Sequence, residues 1–267
     1  MTRPVALVTG ASGGIGEAIA HQLAAGGEDV VLVARSAERL EQVANAIREA
    51  TGRDVLTIAA DLEELGAAER LAARLAEAGL SVRDLINNAG YGLAGEVAEL
   101  PRQGQLGIID LNCRALLDLT LVFLPQVVAQ RGGVLNVASV AGFTAGPGFA
   151  VYYASKAFVV SFTRALAYEL KGQGVKVSAL CPGPTATQFG TRAGFKGSRG
   201  ANLMASLDAA GVARVGLAGY RAGRVVVVPG LVNRLAVLLV KLVPQAWAMP
   251  ILSAAQRRRR EMPRPVS

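Results

Sequence analysis

The first 25 residues contain the feature that most restricts the fold of this chain. A short apolar run, Val5–Thr9, is followed by the glycine-rich stretch Gly10–Gly16 (GASGGIG) and by a helical pattern over Glu17–Ala25. Strand, glycine turn and helix in this order open a βαβ unit that binds a dinucleotide. Glycines let the backbone approach a pyrophosphate, whose charge lies against the helix N-terminus. An ordinary tight turn is the alternative, and the position directly after the first strand favours the dinucleotide site.

The rest of the chain repeats the alternation of strands and helices. Helical patterns separate the apolar runs, for example at Ala37–Ala50 and Pro101–Gln130. Further strands are predicted at Asp29–Ala34, Val55–Ala60, Asp84–Ile86, Gly133–Ala138, Val175–Leu180 and Arg224–Val228. This alternation predicts an α/β fold, a doubly wound parallel sheet (Rossmann fold) of about seven strands in a single domain.

Composition argues against several functional classes. The single histidine, His21, and the spacing of Cys113 and Cys181 argue against a metal site, so we expect none. The two cysteines suggest a reducing compartment, and the first residues lead directly into a strand without room for a signal peptide. We therefore expect a cytoplasmic protein.

The net charge is +8, which invites a nucleic-acid interpretation. Much of the excess lies near the end of the chain, in Arg257–Arg260 and Arg264. No aromatic stacking platform or base-reading helix pattern accompanies it. A basic tail or an affinity for anionic surfaces is the better explanation, and no nucleic-acid partner is expected.

Candidate ligand-binding residues follow most of the predicted strands. They are Gly10, Arg35, Asp61, Asn88, Ser139 and Pro182. Because ligands of parallel α/β sheets bind at the carboxyl ends of the strands, one edge of the sheet is expected to carry most of the site.

Two of these residues indicate which dinucleotide binds. Arg35 stands where sites for NAD usually carry an acidic residue, and its guanidinium could pair with a 2′-phosphate. A solvated arginine at a strand end is the alternative. Asp61 could accept a hydrogen bond from an adenine amino group, cap the helix that follows, or do both.

The stretch Ser139–Lys156 contains the candidate chemistry. Tyr152 and Lys156 are four residues apart and share one helix face, where an ammonium lowers the pKa of a phenol and makes it a general acid/base. A surface helix with a half-buried tyrosine is the alternative. The coincidence of Ser139 with the other strand-end residues favours the catalytic interpretation.

Together these motifs resemble the short-chain dehydrogenase/reductase family of the compact type, over about residues 3 to 230. Thr9–Gly16 matches the family's TGxxxGxG loop, and Asn87–Gly90 matches its NNAG strand end. Ser139 and the Tyr152-x-x-x-Lys156 pair match its catalytic constellation. The resemblance adds Asn112 as the fourth member of a tetrad, and it matches Pro182-Gly183 with Thr185 and Thr187 to a turn beside the nicotinamide.

The resemblance implies an NADP(H)-dependent oxidoreductase that transfers a hydride between the nicotinamide and a carbonyl or secondary alcohol. Tyr152 would exchange the proton, Lys156 would lower the Tyr152 pKa and hold the ribose hydroxyls, Ser139 would bind the substrate oxygen, and Asn112 would hold a water. The implied cofactor contacts are Gly10, Ser12, Gly13, Gly14, Ile15, Gly16, Arg35, Asp61, Leu62, Asn88, Ala89, Gly90, Tyr152, Lys156, Pro182, Gly183, Thr185 and Thr187.

Two other functions fit parts of the pattern. Larger epimerases and dehydratases share Tyr-x-x-x-Lys but carry TGxxGxxG and a larger C-terminal domain, for which too few residues follow Pro182. A non-catalytic dinucleotide sensor or scaffold on the same fold is the second alternative. Such proteins typically lose the tyrosine or the lysine, and here the tetrad is intact.

The chain is expected to divide into residues 1–230, the dinucleotide-binding and catalytic domain, and residues 231–267, an apolar helix with a basic tail. Gln188–Ala210 occupies the position of the family's mobile substrate lid, and its apolar side chains suggest an apolar substrate or simply pack the loop.

Leu231–Val243 is too short to span a membrane. It could lie on a membrane surface, with a peripheral contact through 231–260, form a dimer contact, or cover the cleft. By resemblance, a homodimer or homotetramer would form through the helices that contain Asn112 and Tyr152.

Overall fold

A parallel sheet between two layers of helices forms the centre of the molecule. The coordinates come from a computed structural model, which describes residues 2–185, 189–190, 193–194, 207–242, 249–250 and 254. The strands in these residues are β1 Arg3–Thr9, β2 Val30–Ala34, β3 Val55–Ala59, β4 Leu80–Asn87, β5 Gly133–Val137, β6 Lys176–Leu180 and β7 Val226–Val227.

Eight α-helices accompany these strands in the described part of the chain. They are α1 Gly14–Ala25, α2 Ala37–Thr51, α3 Ala67–Glu77, α4 Arg102–Ile109, α5 Leu116–Ala129, α6 Ala150–Glu169, α7 Ala209–Arg221 and α8 Leu231–Leu242. A π-helical turn, Asp110–Ala115, joins α4 to α5, and a 3₁₀ turn, Val140–Phe143, follows β5.

The strand order is β3-β2-β1-β4-β5-β6-β7, and every adjacent pair is parallel. The chain therefore leaves β1 towards one edge of the sheet and returns to the other side of β1 with β4. This reversal opens a crevice beyond the carboxyl ends of β1 and β4, where doubly wound sheets bind their ligands. The prediction of a doubly wound parallel sheet with about seven strands is confirmed.

Alternate residues of the strands fill two apolar layers. Val8 and its same-face neighbours pack on α1, α2 and α7, whereas Leu7 and the opposite set pack on α3 and α5. Both side chains are fully buried. Strands that are buried on both faces require continuous apolar runs, which is why the sequence carries VALV in β1 and VVLV in β2.

Several predicted boundaries were wrong, each for a physical reason. The fourth strand begins at Leu80 rather than Asp84, because Arg83 and Asp84 interrupt its apolar pattern although both lie in the strand. Asp84 is nevertheless 7 % exposed, and the hydroxyl of Tyr220 donates a hydrogen bond to it. The seventh strand is only Val226–Val227, because it pairs with β6 along two residues.

A buried polar network links β4 and β5 to α5 and α6 on one side of the sheet. Asn136 on β5 is fully buried, accepts a hydrogen bond from the Asn87 amide at 2.9 Å and donates one to Thr163 Oγ1 at 3.0 Å. Asn87 also donates to Thr120 on α5. Because buried polar groups are costly when unpaired, these bonds fix the positions of α5 and α6 on β4 and β5.

Candidate active site

The loop after β1 requires glycine for two reasons, a left-handed backbone conformation and a close approach of neighbouring atoms. Gly10 and Gly14 have φ of 64° and 63°, a left-handed backbone that favours glycine. A Cβ at Gly16 would overlap the amide of Asn88 and the carbonyl of Gly10. These glycines are therefore required by the chain's own packing.

Gly13 is a glycine for a different reason. Its backbone is extended, and a Cβ there would meet only a carboxylate oxygen of Glu17 at 3.9 Å. It occupies the N-cap of α1 without a side-chain hydrogen bond to the helix. A side chain at Gly13 would thus enter open space at the N-terminus of α1, where the first N–H groups of a helix have no partner within the helix, and this geometry fits the pyrophosphate of a dinucleotide. Ser12, half-buried, lies in the same turn.

The end of β4 is tied to the glycine loop. Thr9 Oγ1 accepts hydrogen bonds from the backbone N–H groups of Asn88 and Ala89, both at 3.0 Å. The Asn88 amide donates to the carbonyls of Thr9 and Gly10 at 2.9 and 3.1 Å. These bonds hold together the two strand ends that border the crevice. Both N–H groups of the Asn88 side chain are engaged in them, so this side chain fixes the shape of the loop.

Charged side chains gather beyond the ends of β2 and β3. The Arg35 side chain is 68 % exposed, and its Nη1 lies 3.8 Å from Oε1 of Glu63. Burial and the nearby Asp61 raise the pKa of Glu63. Sequence reasoning missed Glu63; its position two residues after Asp61 was the available signal.

Asp61 does not cap the helix that follows, so that interpretation was wrong. Its Oδ1 accepts from the backbone N–H of Glu63 at 2.9 Å, and the N-cap of α3 is Gly66. The chain needs five further residues before it enters the helix, and Asp61 instead orders the turn. The side chain of Leu62 is buried in the core, whereas Ile15 is partly buried against the opposite layer. Any cofactor contact from Leu62 would therefore come from its backbone.

Ser139, Tyr152 and Lys156 converge at the carboxyl end of β5. Lys156 Nζ donates to the carbonyl of Val137 at 2.8 Å and lies 5.8 Å from the centre of the Tyr152 ring. Ser139 begins the 3₁₀ turn, and its hydroxyl accepts from the N–H of Ala141 at 3.1 Å. The helical spacing of α6 and the end of β5 together bring these three side chains into one place.

Asn112 belongs to the same neighbourhood through the π-helical turn. Its amide donates to the Tyr91 carbonyl at 2.9 Å and to Ser155 Oγ at 3.0 Å, and its Oδ1 accepts from the Tyr91 N–H at 3.1 Å. A Cβ at Gly90 would lie 2.8 Å from Asn112 Oδ1 and 3.4 Å from Lys156 Nζ. Gly90 therefore lets Asn112 and Lys156 approach the same strand end.

Burial controls the ionisation of the pair. It raises the pKa of Tyr152 above the ordinary value, and a hydrogen bond with Ser139 acts in the opposite direction. Burial also lowers the pKa of Lys156 to about 8. The expected lowering of the Tyr152 pKa by Lys156 is not found, because burial of the phenol raises its pKa and the Lys156 ammonium is directed at the Val137 carbonyl.

Aromatic rings surround the Tyr152 side chain. Phe149 stacks on it with ring centres 4.5 Å apart, and Phe189 lies at 5.3 Å. Tyr153 points elsewhere, against Gly146. Tyr152 is thus the tyrosine that meets Lys156, in agreement with the helical register.

The turn after β6 lies beside Ser139. The Pro182 carbonyl accepts from the N–H of Val140 at 3.0 Å, and Thr185 Oγ1 donates to the Gly183 carbonyl at 3.0 Å. Thr187 lies outside the described residues, as do Gln188, 191–192 and 195–206 of the predicted lid.

The crevice, the glycine loop and the Ser–Tyr–Lys cluster define a dinucleotide-dependent oxidoreductase fold, and comparison with known proteins agrees. The family model described as short chain dehydrogenase matches residues 4–194. A sulfoacetaldehyde reductase of Chromohalobacter salexigens is 40 % identical over 186 residues, 68 % of this chain and 72 % of that protein. This chain belongs to the short-chain dehydrogenase family, as the sequence resemblance predicted.

Solved structures of family members are also similar to this chain. A short-chain dehydrogenase from Sphingobium yanoikuyae in complex with NADPH has a TM-score of 0.78 and 33 % identity, covering 91 % of this chain and 97 % of that one. A short-chain dehydrogenase/reductase from Burkholderia phymatum in complex with NAD has a TM-score of 0.78 and 26 % identity, covering 100 % and 98 %.

Alanine substitutions at Gly16 and Gly13 distinguish a glycine that the packing of the protein requires from one that the bound dinucleotide requires. Gly16→Ala is expected to lower the free energy of unfolding by about 1–3 kcal/mol, because its Cβ overlaps Asn88 and Gly10. Gly13→Ala is expected to change it by less than about 1 kcal/mol and to weaken dinucleotide binding about tenfold or more, because the methyl group enters the space before α1. Thermal unfolding and fluorescence titration measure the two effects. Unchanged binding by the Gly13 variant would contradict a pyrophosphate at this position.

Proposed function

We propose that this protein is an NADP(H)-dependent oxidoreductase that interconverts a carbonyl compound and its alcohol. The observation that carries the proposal is the convergence of Ser139, Tyr152 and Lys156 at the sheet edge that also bears the glycine loop. Bound NADP(H) would supply the redox chemistry by giving or accepting a hydride at its nicotinamide ring. The protein would supply orientation and the proton.

The phenol of Tyr152 is suited to the proton transfer. Its raised pKa keeps it protonated, so in the direction of reduction it can donate a proton to the carbonyl oxygen as the carbon accepts the hydride. The Ser139 hydroxyl would donate a hydrogen bond to the same oxygen, on which negative charge develops. In the direction of oxidation, the phenolate would accept the proton of the alcohol.

Lys156 and Asn112 would support the proton transfer by Tyr152 in different ways. An ammonium held by the Val137 carbonyl has two further N–H donors for the ribose hydroxyls of the cofactor, and its charge would stabilise the phenolate after proton transfer. Asn112 lies near Lys156 at Gly90 and would hold a water there. Its two bonds to Tyr91 fix the orientation of the amide group.

Arg35 supports NADP(H) as the preferred cofactor. Its exposed guanidinium follows β2, where the adenosine ribose of a dinucleotide lies in this fold, and an arginine can pair with a 2′-phosphate. Similar structures hold NADPH in one case and NAD in another, so the preference rests on Arg35. Glu63 shares this arginine and would compete with the phosphate.

Features outside the tetrad support further proposals. The rings of Phe149 and Phe189 beside Tyr152 favour an apolar substrate. Exposed apolar side chains on α4, α5 and α6 support a homodimer or homotetramer formed through these helices; they are Leu106, Ile109, Leu121, Phe158 and Tyr168. The non-catalytic sensor has no comparable support, and consumption of NADPH with a carbonyl substrate would separate it from the enzyme.

Replacing the phenol tests the proton donor. Tyr152→Phe is expected to lower kcat for carbonyl reduction about a hundredfold or more while the NADPH dissociation constant stays within about twofold, because only proton transfer is removed. NADPH consumption with a panel of aldehydes, ketones, 3-oxoacyl thioesters and steroids provides the assay. Tyr153→Phe is the matched control, since that ring faces Gly146, and it should retain activity. Near-native turnover by Tyr152→Phe would refute the assignment.

Removing either partner of the Arg35–Glu63 pair tests the cofactor preference. Arg35→Ser is expected to raise KM for NADPH about tenfold or more and to leave KM for NADH nearly unchanged. Glu63→Gln should lower KM for NADPH by about twofold to fivefold, the range of an exposed ion pair.

Glu64→Gln serves as the control for that prediction, because Glu64 makes the same charge change next to Glu63 but pairs with Arg70. Steady-state kinetics with both cofactors measures all three variants. Equal effects of the Glu63 and Glu64 substitutions would mean that general charge, and not competition for Arg35, sets the preference.

A further inference from the structure

Helix α8 is attached to the domain by a narrow face. Asn233 and Val237, four residues apart, are 5 % and 8 % exposed. The Asn233 amide donates to the Pro229 carbonyl at 2.8 Å, and Arg234 Nε donates to the Val228 carbonyl at 2.9 Å. These contacts fix the rotation of the helix about its axis, so the side that points outward is determined.

The outward side of α8 is apolar. Five large side chains on it are between 52 % and 70 % exposed; they are Leu231, Val232, Leu235, Leu238 and Leu239, called the leucine face below. At 100° per residue they occupy an arc of about 120° opposite the buried side. A helix on a soluble domain normally has the reverse arrangement, with its apolar stripe against the core. A contiguous exposed apolar patch of this kind marks an interaction surface.

Charge decides which partner this surface fits. Residues 231–267 contain seven of the chain's 28 lysines and arginines and one of its 20 acidic residues, which accounts for +6 of the net charge of +8. Arg234 borders the leucine face, and Lys241 follows it by two helical turns. A second copy of this helix would bring two such basic segments together, whereas a surface of anionic lipid compensates them.

We propose that α8 lies on an anionic membrane surface, with the leucine face in the acyl region and Arg234, at its border, at the lipid headgroups. The helix has 12 residues, and none of the helices in the described part of the chain has the length and apolarity required to cross a bilayer. Lying in the interface is the geometry that suits a short apolar face with a basic border. The division of the chain at residue 230, still a prediction, would then separate the catalytic domain from its membrane contact.

This surface is adjacent to the candidate active site. Helix α8 contacts the 3₁₀ turn Val140–Phe143, which Ser139 begins, and Asn233 packs so closely on Gly183 that a Cβ there would overlap it. A membrane-bound orientation would therefore hold Ser139 and the turn after β6 near the lipid surface. An apolar carbonyl substrate dissolved in the membrane would meet the site from that side.

Sedimentation with lipid vesicles tests the proposal on the full chain. Vesicles of phosphatidylcholine alone are compared with vesicles that also contain phosphatidylglycerol, at low and high salt. The protein is expected to bind the anionic vesicles about tenfold or more tightly, and this advantage should fall as salt rises. Leu235→Glu/Leu239→Glu, in the leucine face, should reduce binding to the anionic vesicles about tenfold or more.

A matched control and a second readout keep the test decisive. Leu65→Glu introduces a carboxylate at another exposed leucine, 77 % exposed and distant in sequence, and should bind vesicles about as the parent does. Dinucleotide binding and thermal unfolding should be unchanged in all variants, since the substituted side chains are exposed. No binding to anionic vesicles, or binding that the double variant retains, would overturn the proposal. A double variant that changes the oligomeric mass without changing vesicle binding would assign the face to a second copy. The kinetics of Tyr152→Phe do not depend on these outcomes.

Discussion

The burial of Lys156 at the junction of α6 and β5 is the constraint on which most of the site depends. Its ammonium donates a hydrogen bond to the Val137 carbonyl. The hydrogen bond from Asn136 to Thr163 fixes the same helix about two turns further along the chain. With α6 held in this way, Tyr152 must lie beside Ser139 at the sheet edge. Ser155, on the same helix, then connects this arrangement to Asn112.

The same burial sets the ionisation of Tyr152 and Lys156. A buried ammonium and a buried phenol both favour their neutral forms, so the pKa of Lys156 falls to about 8 while that of Tyr152 rises. A core built only for stability would avoid a buried ammonium with one carbonyl partner. Local departures from stable packing of this kind are expected at functional sites, where pKa values are adjusted to the chemistry.

Local sequence patterns predicted the fold well, whereas contacts between segments distant in the chain could not be predicted from the sequence. The glycine loop and the apolar runs indicate the parallel sheet, because each signal lies within a few neighbouring residues. The start of β4 at Leu80 was not predicted, because the charge of Asp84 interrupts the apolar pattern. Asp84 can be buried in the strand because it accepts a hydrogen bond from Tyr220, which is 136 residues away in the sequence. Glu63 meets Arg35 only after folding, and the turn formed by Asp61 depends on where α3 begins. The apolar stretch Leu231–Val243 was recognised from the sequence, but only the structure determines which side of the helix Leu231–Leu242 faces outward.

The central proposal is that Tyr152, protonated and beside a charged Lys156, donates the proton for carbonyl reduction. The pH dependence of kcat/KM tests it most directly, because this parameter reports ionisations of the free enzyme. Below the Lys156 pKa of about 8 the lysine is charged and the phenol is protonated, so kcat/KM should be constant there. Above it the ammonium is lost, and kcat/KM should fall about tenfold per pH unit. A constant kcat/KM through that region, or a decline on the acidic side of neutrality, would contradict the account.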